Sequence, residues 1–207
     1  MRKVVDYYYS LVSPWTYLGG PCLDEIVHRT GAVVDCKPVD FSKVFPVSGG
    51  LPLAKRAPQR QAYRLVELQR WRDFLGMELN LQPSHFPVPE DLAARVVIAA
   101  KRAGADALQL SNAILRAVWA EERNIADPGT LRATAGENGL DGDALLAAAE
   151  TDAVREEYAA NTAEAIGRGV FGAPGYVYQG ELFWGQDRLD FLDEALASGR
   201  PPYRPTV

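Results

Sequence analysis

The first forty residues contain a strand, a helix and a second strand in close succession. Residues 3–9 (KVVDYYY) combine β-branched and aromatic side chains with little alternation, which is typical of a strand buried on both faces. A helical pattern then runs from Ser13 to about Arg29, and Gly31 ends it. Residues 32–39 predict a second strand. Strands joined in this way pair in parallel through a right-handed crossover, so the chain is expected to begin with a βαβ unit.

A long helical region separates this unit from the rest of the chain. Residues 43–58 are rich in proline and glycine and predict a long loop without regular structure. Helices are predicted over 59–75 and 90–102, then from Asp106, from Asp127, from Asp141 and from about Thr151 to Gly167. In the helix over 59–75 the apolar residues fall along one side, made of Tyr63, Val66, Trp71 and Phe74, with Leu68 and Leu75 beside them.

The last segment returns to strands. Residues 176–178 and 181–184 predict a hairpin with Gln179-Gly180 in the turn, and a final helix follows with Leu189 and Leu192 on its apolar side. The order is therefore βαβ, a helical insertion, then ββα. Without the insertion this is the thioredoxin arrangement, so the sequence predicts an α/β protein with a thioredoxin-like fold and a large all-helical insertion between its two halves. The expected division is a discontinuous domain of residues 1–42 and 170–200, with residues 43–169 as the insertion domain.

Composition and charge argue against several classes of function. The formal net charge is −5, and no Lys/Arg cluster is interleaved with aromatic residues, so nucleic acid is not an expected partner. No apolar stretch approaches the 18 or more residues of a membrane span. The N-terminus predicts a strand and not a signal peptide, and two isolated cysteines, Cys22 and Cys36, suit a reducing cytoplasm. We therefore expect a cytoplasmic protein, and no metal site is predicted.

The tetrapeptide Ser13-Pro14-Trp15-Thr16 stands at the junction between the first strand and its helix. A thioredoxin-type protein carries its Cys-x-x-Cys pair there, where the helix N-terminus lowers the pKa of the first thiol. Ser13 cannot form a disulfide, but the backbone amides and helix dipole at this position favour an anion. Such a site is expected to bind the thiolate of another molecule, with glutathione as the first candidate. Alternatively, Ser13 simply caps the helix, with Pro14 as its first residue.

Three blocks of the chain carry a resemblance to a known family: residues 6–19 (DYYYSLVSPWTYLG), residues 170–174 (VFGAP) and residues 184–188 (WGQDR). Together with Leu68-Gln69-Arg70-Trp71 they resemble 2-hydroxychromene-2-carboxylate isomerases, which are related to kappa-class glutathione transferases and to DsbA. The resemblance covers essentially the whole chain. It implies a glutathione-dependent isomerase of aromatic-compound catabolism, and by analogy a homodimer.

The resemblance also implies a cofactor site. Ser13 would be the catalytic residue, donating a hydrogen bond that keeps the glutathione sulfur ionised. Ala173 would pair with the cysteinyl portion of glutathione through its backbone, exposed by a cis bond to Pro174; the alternative is an ordinary trans proline. The turn at Trp184 and Gly185, with Gln186 and Asp187, would hold the γ-glutamyl end, although Asp187 could instead cap a helix.

The substrate side is expected to come from Phe45, Pro46 and Ala54 in the loop and from His85 and Phe86 in the insertion. An aromatic keto acid needs an aromatic wall and one or two polar groups. Members of the family carry an asparagine in the 50–55 loop, where this chain has Leu51-Pro52-Leu53-Ala54. His85 could equally be an ordinary surface residue, and Lys55 and Arg56 could meet a carboxylate or lie in solvent.

The resemblance implies conversion of 2-hydroxychromene-2-carboxylate, or a similar aromatic hemiketal acid, to trans-o-hydroxybenzylidenepyruvate. A kappa-like glutathione transferase and a glutathione-binding module without turnover remain alternatives. Disulfide oxidoreductase activity is not expected, because neither Ser13 nor Thr16 carries a thiol.

Overall fold

The structure, a computed structural model, describes residues 2–205. Four strands form one sheet: β1 (Val4–Tyr9), β2 (Val33–Pro38), β3 (Gly175–Tyr178) and β4 (Glu181–Trp184). The α-helices are α1 (Pro14–Thr30), α2 (Phe41–Ser48), α3 (Pro58–Leu75), α4 (Asp91–Arg102), α5 (Ala107–Trp119), α6 (Pro128–Glu137), α7 (Gly142–Ala149), α8 (Asp152–Gly167) and α9 (Leu189–Ser198). Short 3₁₀ turns cover Leu53–Lys55 and Gln186–Arg188.

The sheet has the order β2-β1-β3-β4, with β1 and β2 parallel and the other pairs antiparallel. This is the predicted thioredoxin-like arrangement, with α2 to α8 between β2 and β3. The division into two domains stays a prediction, since one apolar cluster includes residues of both parts, such as Tyr7 of β1 and Ile98 of α4.

β1 is buried on both faces, as its sequence predicted. The ring of Tyr7 stacks between those of Tyr9 and Tyr176, with centroids 4.2 and 5.0 Å away. Tyr8 points to the opposite face, where it packs with residues of α2 and α8. Since side chains alternate along a strand, each face of β1 contributes to a separate apolar cluster.

The prediction of an irregular loop over residues 43–58 is wrong in its first half. Asp40 caps α2 by accepting a hydrogen bond from Ser42 N at 3.0 Å, and Gly49 ends the helix with φ +77°. Pro46 lies inside this two-turn helix. The helix survives the lost N–H donor because Phe41 and Val44 are buried against the sheet, and this tertiary packing outweighs the local cost of proline.

The side of α3 on which the sequence places its apolar residues is mostly exposed. Only Leu68 is buried in this helix, while Tyr63, Val66 and Phe74 are exposed by 58%, 41% and 80%. The apolar residues do share a side, but little of the molecule covers that side.

Among the described residues no helix is both long and apolar enough to cross a bilayer.

Candidate functional site

A tight turn at the end of β1 delivers Ser13 to the start of α1. Ser13 N donates to the carbonyl of Ser10 at 3.2 Å, which closes the turn. The Ser13 hydroxyl then accepts a hydrogen bond from Thr16 N at 3.3 Å, and Pro14 begins the helix. Ser13 therefore is a helix cap, as one alternative proposed. Capping uses the oxygen as an acceptor, and the structure offers the hydroxyl proton no acceptor among residues 2–205.

The carboxylate of Glu90, which lies just before α4, accepts hydrogen bonds from this turn. Ser10 Oγ donates to both carboxylate oxygens of Glu90 at 2.9 Å, and Leu11 N donates to it at 2.5 Å. The residue as a whole is partly exposed, but the carboxyl group is buried. Burial raises the pKa of Glu90 to about 7, although the donors from Ser10, Leu11 and Val12 oppose that shift. The sequence analysis missed Glu90, whose position after Pro89 indicated only the start of a helix.

The bond between Ala173 and Pro174 is cis, as predicted. β1 and β3 pair up to Tyr8 and Gly175, so the chain leaves β1 towards Ser13 and enters β3 from Pro174 at the same end of the two strands. The Ser13 turn and the cis bond thus lie at the same end of the sheet. A second cis bond, between Phe86 and Pro87, was not predicted.

The residues assigned to the γ-glutamyl end lie beside α1. A Cβ added at Gly19 would lie 2.9 Å from Gln186 Cβ, so the buried Gln186 packs directly against this helix. Gly185 N donates to the carbonyl of Pro174 at 2.9 Å, which ties the turn to the cis bond. Trp184 is half-exposed, with its ring 4.7 Å from that of Phe171.

Asp187 does not cap a helix, so that alternative is wrong. The 3₁₀ turn begins at Gln186 after Gly185, and Arg188 precedes α9. The exposed Asp187 carboxylate accepts instead from Arg188 at 2.7 Å.

The structure does not bring the predicted substrate residues together as one wall. Phe45 packs in the cluster that includes Ala173, near the cis bond, and Pro46 and Ala54 are exposed nearby in sequence. Phe86 belongs to the other cluster, with its ring centroid 4.9 Å from that of Trp119. His85 is exposed. Their role in substrate binding stays a prediction.

The structure gives little support for a reactive cysteine thiol in this protein. Cys22 and Cys36 are free, and burial raises the pKa of Cys36 to about 12. A thiol with such a pKa is almost entirely protonated at neutral pH and reacts slowly. Between residues 2 and 205 no group of three or more His, Cys, Asp or Glu side chains is arranged to hold a metal ion.

Comparison with known proteins identifies the family. The model of the DsbA-like thioredoxin domain matches residues 4–197. A 2-hydroxychromene-2-carboxylate isomerase of Sphingobium xenophagum is 30% identical over 95% of this chain and 99% of its own. The chain belongs to the 2-hydroxychromene-2-carboxylate isomerase family.

One solved structure and one further relative are also similar to this chain over nearly its whole length. A solved structure of 2-hydroxychromene-2-carboxylate isomerase superposes with a TM-score of 0.79 at 27% identity, covering 94% of this chain and 95% of that one. Glutathione S-transferase kappa 2 of Caenorhabditis elegans is 28% identical, with 93% of each chain covered. The recognition made from the three sequence blocks and the thioredoxin-like fold are thereby confirmed.

Proposed function

We propose that this chain is a cytoplasmic glutathione-dependent cis–trans isomerase, acting on 2-hydroxychromene-2-carboxylate or a similar aromatic hemiketal acid. The product would be trans-o-hydroxybenzylidenepyruvate, or its analogue. Curated relatives that bear the isomerase name support this, at 30% identity over nearly the whole chain. The observation that carries the proposal is Ser13, whose hydroxyl proton is left for a ligand at a helix N-terminus next to a cis proline.

The residues present fit glutathione. The backbone of Ala173 lies beyond the last residue pair of β3 with β1, so its N–H and C=O can pair with an extended peptide. Asp187 lies exposed at the surface, where a ligand ammonium could replace Arg188 as its partner. Gln186 and the amides of the following 3₁₀ turn would supply donors for the γ-glutamyl carboxylate.

Bound glutathione would supply a thiolate that adds to the conjugated double bond of the ring-opened substrate and leaves after rotation about the resulting single bond. Ser13 would donate its hydrogen bond to the sulfur and lower the pKa of that thiol. The amide end of α1 would favour the same negative charge through its dipole. The hydrogen bond that Ser13 Oγ accepts from Thr16 N would hold the oxygen at the start of α1 and leave the hydroxyl proton for the sulfur.

A pair of Ser13 variants tests this mechanism. Ser13→Ala removes both the cap and the donated hydrogen bond, whereas Ser13→Asp keeps a capping side chain and places a negative charge against the thiolate. We expect both to lose at least tenfold in glutathione-dependent turnover, since a hydrogen bond to a charged group is worth about 1.5–3 kcal/mol. Only Ser13→Ala should also lose about 1 kcal/mol of stability. The measurements are a spectrophotometric isomerisation assay, with and without glutathione, and urea denaturation.

Two results would speak against the proposal: turnover that does not need glutathione, or a Ser13→Asp protein as active as the parent. Ser198→Ala, in an exposed serine far along the chain from the site, is the matched control and should leave turnover unchanged.

A kappa-like glutathione transferase is the second candidate, and the kappa-class relative, 28% identical to this chain, favours it. Both activities would use the same Ser13 site. Mass spectrometry of the products separates them, because a transferase releases a glutathione conjugate and an isomerase regenerates glutathione.

A further inference from the structure

One stretch of this acidic chain is strongly basic. Residues 41–66 contain no Asp or Glu and carry five cations, in a protein of net charge −5. Most other Lys and Arg side chains of the described chain have a carboxylate within 4 Å, but the structure shows no ion pair for Lys55, Arg56, Arg60 or Arg64. Cations left without counter-ions on one segment attract an anion.

Arg64 differs from the other three because it lies against aromatic rings. Its guanidinium is 5.4 Å from the centroid of Phe86 and 5.7 Å from that of Trp119. The side chain is half-buried, and the structure shows no acceptor for its five N–H donors among residues 2–205. Burial, and the nearby charge of Arg56, lower the pKa of Arg64 to about 10, so it remains charged at neutral pH.

Trp119 adds a second donor without a partner. The residue is completely buried, and its Nε1 has no hydrogen-bond partner in the described part of the chain. Buried polar groups of native proteins nearly always find a partner, and the exceptions call for an explanation. A ligand carboxylate has two acceptor oxygens for the half-buried guanidinium of Arg64, whereas the enclosed indole N–H of Trp119 belongs to the same aromatic cluster.

This cluster lies close to the Ser13 turn. Phe86 stands four residues before Glu90, and Glu90 binds Ser10 and Leu11. The helix that carries Arg64, α3, also contacts α1, the helix that Ser13 caps. A ligand on Arg64 can therefore reach towards the catalytic end of the sheet.

We propose that Arg64 binds the carboxylate of an aromatic carboxylic acid, with the partly exposed Phe86 packed against its ring system. The inference rests on the proposed function, in which the substrate is an acid of this class. Glutathione also carries carboxylates, but it has no aromatic ring that would pack against Phe86. An aromatic acid satisfies the cation and the ring of Phe86 together, which favours the substrate over the cofactor.

A binding experiment tests the site without any turnover. The protein has four tryptophans, and their indole N–H signals can be followed by ¹⁵N NMR. The Trp119 signal is assigned by elimination with Trp15→Phe, Trp71→Phe and Trp184→Phe variants. We expect trans-cinnamate to shift the Trp119 signal and uncharged cinnamamide to leave it in place.

Three arginine variants test whether the positive charge of Arg64 binds the cinnamate carboxylate. Arg64→Met should weaken cinnamate binding at least tenfold. Arg64→Lys keeps the charge but not the planar guanidinium, so its affinity for cinnamate should lie between those of the parent and Arg64→Met. Arg60→Met is the matched control, since Arg60 is an exposed, unpaired arginine on the same helix, and it should bind cinnamate like the parent. Equal losses in Arg60→Met and Arg64→Met would mean diffuse attraction and would overturn the proposal. Thermal unfolding confirms that each variant is folded.

Kinetics then separates the two sources of carboxylate. A raised KM for the chromene carboxylate in Arg64→Met, with an unchanged KM for glutathione, supports the inference. A raised KM for glutathione alone would overturn it, because the carboxylate would then belong to the cofactor. A protein that binds cinnamate through Arg64 but shows no isomerase turnover would contradict the proposed function and leave this site standing.

Discussion

At the scale of single residues, the site depends on contacts between positions far apart in the sequence. Glu90 binds the turn before Ser13 across 79 and 80 residues of chain. Ser13 itself stands out in the sequence, because a hydroxyl followed by proline after a buried strand indicates a helix cap. Glu90 has no such local signal, and only the hydrogen bonds that it accepts from Ser10 Oγ and Leu11 N show what it does.

The buried carboxyl of Glu90 makes stability depend on pH. In the folded protein its pKa is raised to about 7, whereas an unfolded glutamate titrates near 4.5. Between these values the folded state holds a proton that the unfolded state has released, so the contribution of Glu90 to stability falls as pH rises. The negative charge of the neighbouring Asp91 also raises the pKa of Glu90. The whole shift corresponds to about 3 kcal/mol.

Comparison with Glu90→Gln isolates this effect. The difference in unfolding free energy between the parent and the variant should change by up to about 3 kcal/mol between pH 4 and pH 8, in favour of the parent at low pH. Urea denaturation at four or five pH values measures it. Glu156→Gln, in an exposed glutamate of α8, is the matched control for the loss of one carboxylate. A stability difference between the parent and Glu90→Gln that does not change with pH would refute the assignment.

At the scale of elements, helix ends were predictable and helix faces were not. The caps of α5, α6 and α7 at Asp106, Asp127 and Asp141 are where the sequence indicated them, since a cap is a local hydrogen bond. The sequence placed the apolar residues of α3 on one side, but that side is mostly exposed, because an apolar stripe does not say whether anything packs on it. Likewise α2 forms around Pro46 only because the sheet buries its other side.

The contact between α6 and α7 depends on one glycine. A Cβ added at Gly142 would lie 2.6 Å from the carbonyl oxygen of Arg132 and 2.8 Å from its Cα, and backbone cannot move aside as a side chain can. Gly142→Ala should therefore destabilise the protein by about 2 kcal/mol. Gly136→Ala, in the exposed last turn of α6 with no atom near the added methyl, should stabilise it by about 0.5–1 kcal/mol. Denaturant unfolding of both variants checks the pair, and equal effects would be the contrary result.

At the scale of the whole molecule, an ion-pair network joins the sheet to the helical insertion. Lys37 Nζ lies 3.2 Å from Asp6, 3.4 Å from Asp35 and 2.8 Å from Glu164 of α8, and its side chain is only 10% exposed. Lys101 of α4 pairs with Asp35 as well. Together with the shared apolar cluster, this network predicts that the two parts unfold together.

Removal of Lys37 would leave three carboxylates facing one another with fewer counter-charges. We expect Lys37→Met to lose about 3 kcal/mol, as is typical when one partner of a buried pair is removed. Lys43→Met, which removes an exposed cation paired to Asp40, should change stability by less than about 1 kcal/mol. Far-UV circular dichroism and tyrosine absorbance should report one coincident transition in every case. Two separate transitions in the parent protein would contradict the cooperative unit.

The sequence by itself determined the order of strands and helices, the capped start of α1, and the family to which the chain belongs. These features depend on neighbouring residues and on short blocks, so they can be read without knowing the packing. Only the tertiary structure decided that Glu90 binds the Ser13 turn, that α2 forms despite Pro46, and that Arg64 lies unpaired against Phe86 and Trp119. Each of these involves groups distant in sequence, and burial between distant segments is set by the whole fold and not by local preference.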